Sequence, residues 1–154
     1  MIHGIHHTAI STPDIDRSVA FYRDLLGARV MSEFKWPKGS DVADRIVGLE
    51  DSSARAAMLL LGNAMIEIFE FESPEPRSSD PERPVCDHGI THLCLDVTDV
   101  KGEYERLVAA GMVFHSPPQD LGAVWATYGR DPDGNVVELQ EVVDSSSPLY
   151  LGLD

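Results

Sequence analysis

The sequence predicts an α+β protein made of two tandem βαβββ modules, and three observations predict it. A short stretch occurs twice, as IHHTAISTPDI at residues 5–15 and as ITHLCLDVTDV at residues 90–100. In each copy a His opens alternating apolar positions, and an Asp-aliphatic pair follows it: His7 leads to Asp14-Ile15 and His92 to Asp99-Val100. Each copy then runs into an amphipathic segment that closes on glycine, Gly27 or Gly111, with strand-like segments behind it. A repeat of this size marks one supersecondary unit used twice.

The elements follow in order. Residues 3–12 read as a strand that Pro13 ends. Asp14 or Asp16 caps a helix on which Ile15, Val19, Tyr22 and Leu26 recur at helical spacing, and Gly27 sits where a C-terminal cap belongs. Residues 28–36 read as the second strand. The stretch 37–53 holds Pro37, Gly39, a short helix over 40–47 and Gly48, and reads as a loop able to cover a pocket. Strands 54–61 and 64–71 flank a Gly62-Asn63 hairpin turn. The first module thus spans 1–72. Residues 73–88 are proline-rich, mixed in charge and without period, and form the linker.

The second module, 89–142, repeats the order. Strand 89–98 leads to a helix over 99–110 with Val100, Tyr104, Leu107 and Val108 on one face. A strand near 112–115, a Pro-Pro loop over 116–122, a strand over 123–129, a tight turn at DPDGN (131–135) and a last strand over 136–142 complete it. The tail, 143–154, is irregular, but its Leu149, Tyr150 and Leu151 suggest docking. Two such modules, each with its helix on one face of the sheet, predict two curved sheets forming a cup within a single domain, 1–154.

The chain of 154 residues is long enough for a real core, and its 43% apolar and 25% charged residues are ordinary for a globular domain. A net charge of −14 argues against nucleic acid or an anionic membrane as partner. No apolar run approaches the ~20 residues of a membrane span. MIHGIHH carries no signal-peptide pattern, so the expected compartment is cytoplasmic. Cys86, in a loop, and Cys94, in a strand expected to be buried, read as free thiols.

Strand alternation assigns the side chains to faces. Thr8 and Ile10, Ile66 and Ile68, Leu93, Leu95 and Val97, and Val137 and Leu139 are the apolar sets suited to the helices. His7, Glu67, His92 and Glu138 then face the cup. A carboxylate flanked by aliphatic residues in mid-strand needs a partner or a metal. Here that happens at the end of each module, and a His opens each module. Two imidazoles and two carboxylates suit a borderline divalent ion: Zn, Ni, Co, Mn or Fe. Lys35, Arg55 and Arg130 are the cations expected near the cavity, and Phe34, Trp36, Phe69, Phe71 and Trp125 are candidates for its wall.

These segments resemble the vicinal oxygen chelate superfamily, which includes glyoxalase I, methylmalonyl-CoA epimerase, extradiol dioxygenases and fosfomycin-resistance proteins. IHHTAI with DIDRSVAFYRDLLG resembles the opening of the first module, and GNAMIEIFEF its closing strand. GITHLCLDVTDV and YGRDPDGNVVELQE resemble the opening and closing of the second. The resemblance covers residues 5–141 and implies a metal held by His7, Glu67, His92 and Glu138. Where glyoxalase I typically has an Arg after the first ligand His and an Asn after the first ligand Glu, this chain has Ser11 and Phe71. The acid on the third strand of methylmalonyl-CoA epimerase has no counterpart in ARAAMLLL.

The chemistry common to both relatives is proton abstraction next to a metal-chelated carbonyl, with Glu67 or Glu138 as ligand and base. The expected function is therefore a divalent-metal-dependent isomerase, epimerase or lyase acting on a small oxygenated substrate. The alternatives are an Fe(II)-dependent extradiol-type dioxygenase using His7, His92 and Glu138, and a non-catalytic small-molecule resistance protein. The resemblance also implies a homodimer.

Overall fold

The computed structural model describes residues 1–153 and divides the chain into two compact units, Met1–Ser78 and Ser79–Asp154. The boundary falls inside the proline-rich segment.

The first unit runs β1 (His7–Ser11), α1 (Ile15–Ala20), β2 (Arg29–Trp36), α2 (Asp41–Val47), β3 (Ser53–Leu61) and β4 (Ala64–Ser73). Its sheet has the order β1-β4-β3-β2, with β1 parallel to β4 and the other pairs antiparallel. β1 is shorter than the predicted 3–12. Its His7 pairs with Met65, and β4 begins only one residue earlier at Ala64, so residues 3–5 lie beyond the end of β4. Asp14 caps α1, accepting from the Arg17 N–H at 3.0 Å. α1 passes directly into a π-helical turn, Phe21–Leu25, where the Leu26 N–H reaches back to the Phe21 carbonyl. Ile15, Val19 and Tyr22 from this helical segment are buried, as are Leu59, Ile66 and Ile68 of the sheet.

The segment 37–53 is tied down by polar groups rather than by a core, for α2 buries no residue. The Asp44 carboxylate accepts from the Asp51 and Ser52 N–H groups and from the Ser52 hydroxyl, which in turn accepts from Trp36 Nε1 at 2.9 Å. The Ser52 hydrogen bonds, first from its side chain and then from its backbone, hold the Asp44 carboxyl below its ordinary value. A depressed carboxyl stabilises the fold above its unfolded pKa of about 3.9 and loses that contribution as pH falls through the folded value. Melting followed from pH 7 to pH 3 should therefore show a smaller acid-side loss in Asp44→Asn than in the wild type.

The second unit runs β5 (Leu93–Asp96), α3 (Val100–Ala109), β6 (Val113–Phe114), β7 (Gln119–Asp120), β8 (Val124–Arg130) and β9 (Val136–Val142). The order is β5-β9-β8-β6, with β7 on β8, and β5 runs parallel to β9. The predicted strand 89–98 is reduced to four residues, which leaves His92 just ahead of it. The Pro-Pro loop contains β7, which the sequence reading missed. At the DPDGN turn, Asp131 Oδ1 accepts from the Asp133 and Asn135 N–H groups at 2.9 and 2.8 Å. Gly134 is left-handed (φ 86°), and Pro81 backbone fills the space a Cβ would need.

Both units cap their helix in the same way, with a carboxylate from the last strand. Glu70 Oε2 lies 3.4 Å from the Ile15 N–H, and Glu141 accepts from the Asp99 and Val100 N–H groups at 3.2 and 3.0 Å. Glu141→Ala removes two acceptors at a helix N-terminus and should cost about 0.5–2 kcal/mol, measurable by urea denaturation.

The tail forms turns around Asp144 and Ser147, and Leu149 and Leu151 remain exposed. Among the described residues, no helix is long and apolar enough to cross a membrane.

Candidate metal centre

Ladder register fixes which side chains share a face. In the first unit Ala9 opposes Glu67 and Ser11 opposes Phe69 on β1 and β4. Alternation places His7, Glu67, Phe69 and Phe71 on one face and Thr8, Ile10, Ile66 and Ile68 on the other. The burial of Ile66 and Ile68 and the packing of α1 on β3 and β4 identify the second set as the helix face. In the second unit Cys94 opposes Glu138 and Tyr128 opposes Glu138 from the other side. Val137 and Leu139, at 0% and 1% exposure, belong to the helix face, as expected from the sequence.

On each open face one His meets one Glu. His7 Nε2 lies 3.1 Å from Glu67 Oε2, and His92 Nε2 lies 2.9 Å from Glu138 Oε2. Ligands at about 2.0–2.2 Å from one metal, at right angles to each other, lie roughly 3 Å apart, so either pair has the spacing of neighbouring ligands. In both histidines the other ring nitrogen is engaged. His92 Nδ1 sits 2.8 Å from the Thr91 hydroxyl, and His7 Nδ1 sits 2.9 Å from His6 Nδ1. Such outer contacts orient the ring and leave Nε2 as the donor toward a cation. Glu138 is buried at 9% exposure, and the Glu67 side chain is 12% exposed. Carboxylates this sheltered, each beside an imidazole, fit a divalent cation by both chemistry and spacing. Among the described residues no group of three or more His, Cys, Asp or Glu is placed so that it could hold a metal ion by itself.

Three side chains outside the expected ligand set stand beside these pairs: Thr91, Tyr128 and His6, the last of which the sequence places on the helix side or the edge. The Tyr128 ring lies 4.9 Å from the His92 ring and 6.3 Å from the His115 ring, centroid to centroid. Burial first and the Glu138 carboxylate second raise the Tyr128 phenol above its ordinary value. The cross-strand register with Glu138 was the signal that could have found it, once β8 was paired with β9.

Cys94, expected to be buried, is exposed by surface area. Its sulfur nonetheless faces Glu138. Local desolvation, followed by the Glu138 charge and a hydrogen bond to it, pushes the thiol up to about 12. It stays protonated at neutral pH, so it is no nucleophile of the thiolate kind.

The three cations expected near the cavity are committed elsewhere. Lys35 and Arg55 lie opposite each other on the helix face, and Arg55 pairs with Asp16 at 2.8 Å and Glu70 at 3.3 Å. Arg130 donates to the carbonyls of Pro81, Arg83 and Gly134. Trp125 lies on the helix face too, under the Lys101 ammonium at 3.8 Å. Phe34, Trp36, Phe69 and Phe71, by contrast, share the open face with Glu67.

Residues 4–139 match the family described as the Glyoxalase/Bleomycin resistance protein/Dioxygenase superfamily. A 2-epi-5-epi-valiolone epimerase from an Actinomyces species is 33% identical over 108 residues, covering 69% of this chain and 58% of its own length. An ethylmalonyl-CoA/methylmalonyl-CoA epimerase of Cereibacter sphaeroides is 29% identical and covers 92% of this chain and 100% of its own length. In fold, a glyoxalase family protein from Bacillus cereus superposes with a TM-score of 0.83 at 20% identity, covering 94% of this chain and 97% of its own.

Proposed function

Since the chain belongs to the glyoxalase/bleomycin resistance protein/dioxygenase superfamily, we propose that it is a divalent-metal-dependent isomerase, epimerase or lyase that moves a proton next to the carbonyl of a small oxygenated substrate. The observation that carries this is the pair of equivalent His–Glu contacts, His7–Glu67 and His92–Glu138, on open sheet faces. In this reading His7, Glu67, His92 and Glu138 are the metal ligands, and the protein is a cytoplasmic homodimer. Two relatives named as epimerases support the reaction class.

Bound there, the ion would polarise the substrate carbonyl and make the neighbouring C–H more acidic. The protein's own groups then handle the proton. Glu138, buried and flanked by Tyr128 and Cys94, is one base, and Glu67, flanked by Phe69, is the other. A carboxylate that takes the proton from one carbon and returns it to the neighbouring carbon accounts for isomerisation. Two carboxylates, one giving and one taking, account for epimerisation. Such positioned acid–base groups contribute roughly 10²–10⁴-fold. Tyr128, protonated through neutral pH, can donate a hydrogen bond to a substrate oxygen beside His92.

Metal content of the purified protein, together with solvent-deuterium incorporation into a panel of 2-oxo and 2-hydroxy carbonyl compounds, tests the proposal. Metal-dependent exchange supports it. No exchange across the panel, or iron-loaded protein that consumes oxygen with a catechol, overturns it.

A further inference from the structure

The two copies of the repeat keep the same residues at some positions and differ at others. His7 and His92 correspond, as do Glu67 and Glu138, and as do the helix-capping Glu70 and Glu141. Two residues beyond the Glu, on the same face, the first unit has Phe69 and the second has Gln140. Opposite these stand Ser11 in one and Asp96 in the other. The open face of the second unit is thus polar around its His–Glu pair, and that of the first is aromatic.

The aromatic end is a connected surface. Trp36 meets Phe71 at 5.9 Å and Phe69 at 6.1 Å, both edge-on, and stacks with Phe34 at 6.4 Å. Ala54 and Ala56, the small residues opposite Phe71 and Phe69 on β3, are buried, while Phe34 remains 45% exposed. Large aromatics over small residues make a flat, partly open apolar surface, and its strand continues directly to Glu67. Of the Lys and Arg residues on β1–β4, register puts only Arg29 on this face, in the row of Leu60, Met65 and His7, beyond Glu67 from the aromatics. Lys35 and Arg55 point to the helix side.

We infer that the substrate carries an uncharged ring or ring-like apolar group that lies against Trp36, Phe71 and Phe34, with its oxygenated end toward Glu67. This rests on the proposed carbonyl chemistry for the identity of the polar end. An aromatic face binds the faces of neutral rings through dispersion and quadrupole contacts, and it gives an anionic group nothing to replace its lost hydration. The surface therefore selects against substrates whose remote end is a carboxylate or phosphate.

Three probes separate the possibilities: 2-hydroxyacetophenone, hydroxyacetone, which lacks the ring, and 4-carboxy-2-hydroxyacetophenone, whose ring is anionic. Binding is followed by Trp36 fluorescence in Trp125→Phe protein, and proton exchange by deuterium incorporation with divalent metal present. The expected result is a Trp36 fluorescence change with 2-hydroxyacetophenone at a Kd at least about tenfold below that of either other probe. Phe71→Leu should erase most of that preference. Trp36 also holds Ser52, so Phe71→Leu is the cleaner variant and Phe34→Leu the second. Equal affinity for all three probes, or no effect of either variant, overturns the inference while the exchange chemistry stands. Ring-dependent quenching without any exchange retains the aromatic site and removes the proposed reaction.

Discussion

His92→Ala is expected to weaken divalent-metal binding more than about 100-fold. Loss of a group that merely orients a metal-ligating His typically costs 10–100-fold, and here the ligating nitrogen itself goes. The change also leaves Glu138, at 9% exposure, without the imidazole that faces it at 2.9 Å. Metal stoichiometry by atomic absorption after dialysis against a weak chelator measures the effect. Circular dichroism should change little, because His92 lies ahead of β5 and contributes nothing to its ladder. Thr91→Val is the graded companion: it removes the hydroxyl at Nδ1 and should fall between the wild type and His92→Ala. Equal metal content in all three proteins would remove His92 from the ligand set.

Ile68→Ala is expected to destabilise the protein by about 2–5 kcal/mol, the usual cost of truncating a fully buried aliphatic side chain. Ile68 is 0% exposed, opposite Ala57 on β3 and Ile10 on β1, on the face that α1 covers. Ala57 is too small to fill the space left behind, and β1 and β3 hold the backbone on both sides. The site face is untouched, so metal affinity at a temperature where the variant is folded should match the wild type. Urea denaturation and metal titration of the same preparation check both statements. A cost below about 1 kcal/mol would mean that α1 settles into the gap.

Why the faces of the two histidines and two glutamates were legible and their surroundings were not follows from particular residues. His7, Glu67, His92 and Glu138 each break an apolar alternation, and period-two alternation survives any error in strand ends. Reading residues 3–12 as strand did not move His7 to the wrong face, although the ladder begins only at His7. Thr91 and His6, which hold the histidine rings, follow no period, and in the sequence nothing but adjacency links them to His92 and His7. Tyr128 became visible only through the register of β8 on β9. Lys35, Arg55 and Arg130 show the converse failure. A cation near a predicted cavity attracts a functional reading, but Arg55 answers to Asp16, forty residues away in round terms, and Arg130 to the carbonyls of a loop.

By itself the sequence determined the α+β class, the duplicated module, a cap at Asp14 or Asp16 for the first helix, and the face on which each His and Glu stands. Those properties depend on local pattern: a residue's parity in its strand and its spacing from a cap. Tertiary structure alone decided that each His meets the Glu of its own module. It also decided that Glu70 and Glu141 close the helices from the last strand, and that one open face is aromatic while the other is polar. These depend on which strands pair and in what register, and that is set by the packing of the helix face, where the apolar side chains leave one alignment that buries them all.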